Sequence, residues 1–151
     1  MKKHFENRQC IISSRKIGIR NMENRYLYRA KRLDDGKWIQ GYLYGIWERI
    51  YILWGMCKDV PCMIEVDPAT VCQCTGLEDK NGKLIFENDI CSRKESHPEI
   101  VKYHEGDWIL DYSYVSGKEY GYNWCNLGFY VFERPCVEVI GNVFDDKELL
   151  N

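Results

Sequence analysis

Residues 67–90 read Asp67-Pro68-Ala69-Thr70-Val71-Cys72-Gln73-Cys74-Thr75-Gly76-Leu77-Glu78-Asp79-Lys80-Asn81-Gly82-Lys83-Leu84-Ile85-Phe86-Glu87-Asn88-Asp89-Ile90. This stretch decides the fold class. Asp67-Pro68 ends the short strand Met63-Ile64-Glu65-Val66, because proline brings no N–H to a ladder. Val71 to Thr75 is the next strand, and Thr75-Gly76 closes it. Glu78 to Gly82 is the strongest turn signal in the chain. An Asp side chain bonds backbone two residues on, Asn tolerates the left-handed region, and Gly enters it without steric cost. Leu84-Ile85-Phe86 then leads into a second tight bend at Asn88-Asp89, followed by Ile90-Cys91. Asp79, Asn81, Gly82, Asn88 and Asp89 therefore read as structural turn residues. Turn residues at this density hold the corners of a β fold.

The same reading extends outward in both directions. Tyr26, Tyr28 and Ala30 point one way and Arg29 and Lys31 the other at a period of two, Asp34-Asp35-Gly36 turns, and Trp38, Gln40, Tyr42 and Tyr44 alternate again, which predicts a hairpin. Ile46 to Trp54, bounded by Gly45 and Gly55, fits both a helical stripe and a strand face. Its β-branched and aromatic content favours one strand. Ile100–His104 and Trp108–Val115 flank a hairpin loop, and Ser116–Asn126 reads as a polar loop. Phe129–Phe132 and Val137–Phe144 are the last predicted strands, and Asp145 to Leu150 reads as a short helix with an Asp cap. Many short strands at close turn spacing predict a mostly β chain, a small barrel or sandwich with a short C-terminal helix.

Composition narrows the function. The 151 residues hold 21 aromatic side chains (5 Trp, 11 Tyr, 5 Phe), and no apolar run approaches a membrane span. Residues 1–21 carry six basic side chains against Glu6 alone. Of the 21 basic and 23 acidic residues in the chain, 15 and 22 are then left for the remainder, a balance of −7. That acidity is a poor footprint for nucleic-acid phosphates. Residues 1–21 show no periodicity and read as a disordered tail, or as leader from a start assigned ahead of Met22, with residues 22–151 as one domain. The basic opening is not followed by an apolar stretch, so the sequence predicts a cytoplasmic protein.

Catalytic patterns are weak. Eight cysteines stand at positions 10, 57, 62, 72, 74, 91, 125 and 136. In a reducing cytosol they predict free thiols and no disulfide. Cys57, Cys62, Cys72 and Cys74 are the one conceivable zinc set, but their spacing is not that of paired Cys-x-x-Cys knuckles, and the expectation is no metal. His4, His97 and His104 stand apart from one another. Asp34-Asp35 and Asp145-Asp146 have turn or cap reasons to be where they are. Gly117 to Gly121 lacks the Gly-Lys-Ser/Thr ending of a phosphate loop, and no Gly-x-Ser-x-Gly elbow occurs. The expectation is no cofactor and no catalysis.

Residues 67–90 closely resemble the signature of the YopX family of phage and prophage proteins. Val139-Ile140-Gly141-Asn142-Val143-Phe144 with Glu148-Leu149-Leu150 is similar to that family's closing motif, and Tyr28-Arg29-Ala30 with Trp38 and Gly41 is similar to its opening. The resemblance spans about residues 24–150. Cys72 and Cys74 stand where Gly and an aromatic are usual, and Asn88 where Gly is usual. The resemblance implies a small, mostly β protein with an SH3-like barrel portion, encoded by phage or prophage, with no catalytic motif. The resulting expectation is a non-enzymatic accessory protein that binds an unknown host or phage protein in the host cytoplasm, with room for a homo-oligomer and without a membrane. Arg29, Trp38 and Tyr42 are the candidate contact residues. The alternative is a small barrel that binds nucleic acid through the same three side chains, and an enzyme is the third class.

Overall fold

In the computed structural model, residues 24–115 and 123–151 are described; residues 1–23 and 116–122 lie outside that set, and with them the expectations for the 1–21 tail and for most of the Ser116–Asn126 loop. The chain forms β1 (Leu27–Lys31), β2 (Trp38–Ile46), β3 (Arg49–Cys57), β4 (Val60–Glu65), β5 (Cys72–Glu78), β6 (Leu84–Phe86), β7 (Asp89–Ser92), β8 (Glu99–His104), β9 (Asp107–Asp111), β10 (Trp124–Asn126), α1 (Leu127–Phe132) and β11 (Glu138–Asn142). Two antiparallel sheets result, with strand orders β4-β3-β2-β1-β5-β6 and β10-β9-β8-β7-β11. The mostly β class follows from the alternation. The described strands make two sheets and no single closed barrel. One isolated bridge, Arg32 to Val66, ties the end of β1 to the end of β4.

Register places side chains on faces. Tyr28 pairs with Gly41 and Ala30 with Ile39; Leu43 pairs with Ile52, and Ile52 with Ile64. These residues share the inner face, where Ala30, Ile52 and Val66 are fully buried and Tyr28, Ile39, Ile50, Ile64 and Val71 pack on them. The second sheet buries Cys91, Val101, Leu110 and Val139 beneath α1, with Ile85 and Val137 filling the gap. Cys72, Cys74 and Phe86 form a smaller cluster with Leu27, Leu84 and Phe144.

The two bends of residues 78–90 tie these parts together by geometry. Asp79 is almost fully buried. Its Oδ1 accepts from the Asn81 and Lys83 amides at 2.8 and 3.0 Å, and its Oδ2 accepts from the Val139 amide at 3.0 Å. One carboxylate thus closes the turn and holds β11. Gly82 sits at φ +79°, the left-handed region. Asn88, at φ +64°, donates its amide to the Val101 carbonyl and accepts from Val143. Asp89 meets Arg29 across the sheets at 2.6 Å, with the side chains 1% and 15% exposed.

Four expectations need correction. Ile46–Trp54 is not one strand: Ile46 ends β2, Trp47-Glu48 turns, and β3 runs on through Gly55. The turn carries no Gly, Asn or Asp signal; Trp47 itself takes φ +53°. Phe129–Phe132 is helix, because Asn126 caps it by accepting from the Phe129 amide at 2.8 Å, and so short an apolar run has no decisive period. The C-terminal helix is a 3-10 turn over Lys147–Leu150 without a side-chain cap, since Asp146 accepts instead from the Asn142 amide at 2.9 Å. Finally, Cys57 and Cys62 are joined as a disulfide. Cys57 pairs with Val60, two residues from Cys62, so the pleat puts both sulfurs on one face with their Cα atoms 5.7 Å apart.

Candidate functional site

The outer face of the six-stranded sheet is built by the other half of the same alternation. Arg29 pairs with Gln40, Lys31 with Trp38, Leu27 with Tyr42, Tyr42 with Leu53, Tyr44 with Tyr51, Leu53 with Met63 and Met56 with Pro61. All of these residues therefore share one face. At the β1 end that face is covered. The Trp38 ring packs edge-on against Phe144 at 5.7 Å and its Nε1 donates to Asp145 at 2.6 Å. Lys31 pairs with the same carboxylate. These donors, Lys31 first and Trp38 second, hold the Asp145 pKa down at about 2.

Towards β3 and β4 nothing described covers the face. Tyr42, Tyr44, Ile46, Met56 and Met63 are all exposed there, and Trp47 at the β2–β3 turn is 96% exposed. A tryptophan held at positive φ with its ring in water gains nothing from the fold; such strained positions cluster where function needs them.

The structure thus sets Arg29, Trp38 and Tyr42 on one face but in different situations. The Arg29 guanidinium lies 4.9 Å from the ring centres of both Trp38 and Phe86 while it pairs with Asp89, and its Nε–H has no hydrogen-bond partner among the described residues. Burial pushes the Asp89 carboxyl up, and the Arg29 charge opposes the rise. Arg29 is therefore turned into the molecule, Trp38 is half-buried, and Tyr42 is open. Tyr44, Trp47, Met56 and Met63 were not singled out from sequence. Tyr44 was legible in the alternation, whereas the other three become visible only once the β2–β3 turn is placed.

The remaining chemistry is sparse. Among the described residues no group of three or more His, Cys, Asp or Glu could hold a metal ion. Cys57 and Cys62 lie on β3 and β4, away from Cys72 and Cys74 on β5, so the conceivable zinc set is not assembled. A cavity of about 230 Å³ is lined by Arg93, Glu95, Ser96, His97, Glu99 and Tyr112. Its cation is spent: Arg93 Nε donates to Glu99 at 2.6 Å, and the guanidinium stacks 3.9 Å from the Tyr130 ring centre. Among the described residues no helix is long and apolar enough to cross a membrane.

Fold and face define a small two-sheet β protein that carries an open aromatic and methionine surface. The chain belongs to the YopX protein family, whose model matches residues 27–151. No curated protein matches it. Among solved structures it is similar to the crystal structure of protein EF1440 from Enterococcus faecalis, at 21% identity and a TM-score of 0.46, covering 82% of this chain and 96% of that one.

Proposed function

We propose that this protein is a non-catalytic phage or prophage accessory protein that binds another protein in the host cytoplasm through the outer face of β2–β3–β4. The observation that carries the reading is the run of exposed Tyr42, Tyr44, Met56 and Met63 leading to Trp47. Large contiguous apolar patches are rare on monomers and mark interaction sites. Aromatic and methionine side chains are the types enriched at protein interfaces, with Trp and Tyr prominent among energetic anchors. The cations of this face point away from nucleic acid: Arg29 pairs with Asp89, Lys31 with Asp145 and Arg49 with Glu65. The bridge from Arg32 to Val66, which draws β1 and β4 around Ile52, supports reading this half as the SH3-like portion that the family resemblance implies.

The test is capture from prophage-carrying cells with tagged wild type, with a Tyr42→Ser, Tyr44→Ser, Met63→Ser triple variant, and with Tyr103→Ser on the other sheet as control. The triple variant is expected to lose a protein that wild type and control retain, with melting temperatures unchanged. Equal capture by all three would overturn the reading.

A further inference from the structure

We propose that Cys57 and Cys62 are a reversible thiol–disulfide site that reacts with low-molecular-weight disulfides, and that its redox state sets how firmly the β3–β4 end of the outer face is held. The second clause rests on the reading of that face as the partner surface; the first stands without it.

The geometry singles this pair out. The two cysteines flank the β3–β4 turn, where Lys58 and Asp59 take φ +51° and +65°. Register and pleat set both sulfurs on one side of the hairpin, with a Cα separation inside the disulfide range. No other described cysteine is disulfide-bonded. Burial is also the first cause raising the pKa of Cys72, Cys74, Cys91 and Cys125, Cys125 to about 11. Those thiols hold little thiolate and are poorly reached, which makes them slow to exchange. Cys57 is exposed and sits beside Lys58, whereas Cys62 is only 9% exposed. That asymmetry assigns roles: Cys57 meets the reagent and Cys62 resolves.

The step balances with a small disulfide RSSR as oxidant. The Cys57 thiolate attacks one sulfur of RSSR and forms a mixed disulfide, and the first RS⁻ leaves with the bonding electrons and takes a proton from water. Cys62 then gives its proton to water, attacks the Cys57 Sγ and expels the second RS⁻, which is protonated in turn. Two protein thiols are oxidised by two electrons, and RSSR is reduced to two RSH. In a reducing solution the pair rests as a dithiol. Disulfides in such surroundings are characteristically transient and redox-sensing.

Oxidation staples the strand ends that present Met56, Val60 and Met63. Met56 directly precedes Cys57, Val60 lies between the two cysteines, and Met63 directly follows Cys62. At its turn end the reduced hairpin is held by the β3–β4 ladder, with β4 last in the strand order of the sheet. It should therefore open locally more often.

The experiment equilibrates the full chain with oxidised and reduced glutathione at graded ratios, then alkylates, weighs and maps it. The expected result is loss of two of the eight thiols, located at Cys57 and Cys62, restored by excess reduced glutathione, with Cys62→Ser trapping a glutathione adduct on Cys57. Retention of all eight thiols at every ratio, or a pair located elsewhere, overturns the site. Hydrogen exchange then reads the consequence. Amides of residues 49–65 should exchange roughly tenfold or more faster in the reduced form, with β7–β9 unchanged, on the scale of a short-loop crosslink. Equal exchange in both states overturns the control of the face. Loss of capture by the Tyr42, Tyr44, Met63 triple variant in neither redox state refutes the partner surface alone and leaves the thiol chemistry standing.

Discussion

Replacing Asp79 by alanine should be among the costliest single changes in the chain. The carboxylate accepts three backbone amides, those of Asn81, Lys83 and Val139. Asn81 and Lys83 are exposed, so their freed amides can turn to water and forfeit about 0.5–1 kcal/mol each. Val139 lies in the core cluster, and its amide, left without an acceptor, costs about 1–3 kcal/mol. The total is about 2–5 kcal/mol against the ~5–15 kcal/mol that a domain has. At this chain length that lowers the melting temperature by roughly 5–15 °C. Asp79→Asn should fall nearly as far, because it keeps one oxygen but turns an NH₂ donor towards one of the same amides. The wild type adds a pH signature. Burial opposes the charged form, but the amides of Val139, Lys83 and Asn81 outweigh it and hold the pKa below 3.8. A carboxyl depressed in the folded state stabilises above its unfolded pKa and loses that contribution as pH falls through the folded value. Asp79→Asn should therefore show a flatter loss of stability below about pH 4. The assay is urea unfolding of wild type and both variants at several pH values. Stability of Asp79→Ala within ~0.5 kcal/mol of wild type would refute the reasoning.

Three further outcomes follow from the same geometry. Gly41→Ala places a Cβ 2.1 Å from the Leu53 carbonyl oxygen, a backbone atom, so the β2–β3 pairing must shift and urea unfolding should show a loss of about 1–3 kcal/mol or more. Asp145→Asn should remove an acid-sensitive contribution present above pH 3.8 and lost as pH falls towards about 2; with its side chain 38% exposed, solvent screening reduces it to about 1 kcal/mol, measurable in thermal melts between pH 2 and 6. A Cβ at Gly82 meets only Glu78 Oε2 at 3.9 Å, so the main cost of Gly82→Val is the strain of φ +79°, about 1–3 kcal/mol, whereas Lys80→Ala removes an exposed ion pair with Glu138 and should cost under ~1 kcal/mol in the same melts.

The turn chemistry of residues 67–90 was legible because Asp, Asn and Gly dictate backbone locally, and the structure puts Asp79, Gly82, Asn88 and Asp89 into bends whose bonds are largely within reach of those few residues. What the local code does not hold is the long-range pairing. Arg29 finds Asp89 sixty residues away, so the same residue that reads as a surface contact is an inter-sheet tie. Trp47 hides a turn because it does what Gly or Asn usually does. The Phe129–Phe132 run is too short for its period to separate helix from strand, and its signal was the Asn126 cap just ahead of it. The disulfide follows from the diagonal register of β3 and β4, which depends on the bulge after Leu53. The exposed face was half legible: Tyr42 and Tyr44 alternate plainly, but Met56 and Met63 join them only through pairing.

The central claim is that the outer face of β2–β3–β4 meets a protein. Site-specific photo-crosslinking in prophage-carrying cells tests it most directly, with the photoreactive residue placed at Tyr44 or, as control, at the comparably exposed Tyr103 of the second sheet. The account predicts a discrete crosslinked protein from Tyr44 and none from Tyr103. Crosslinks from Tyr103 alone, or from neither position, would contradict it.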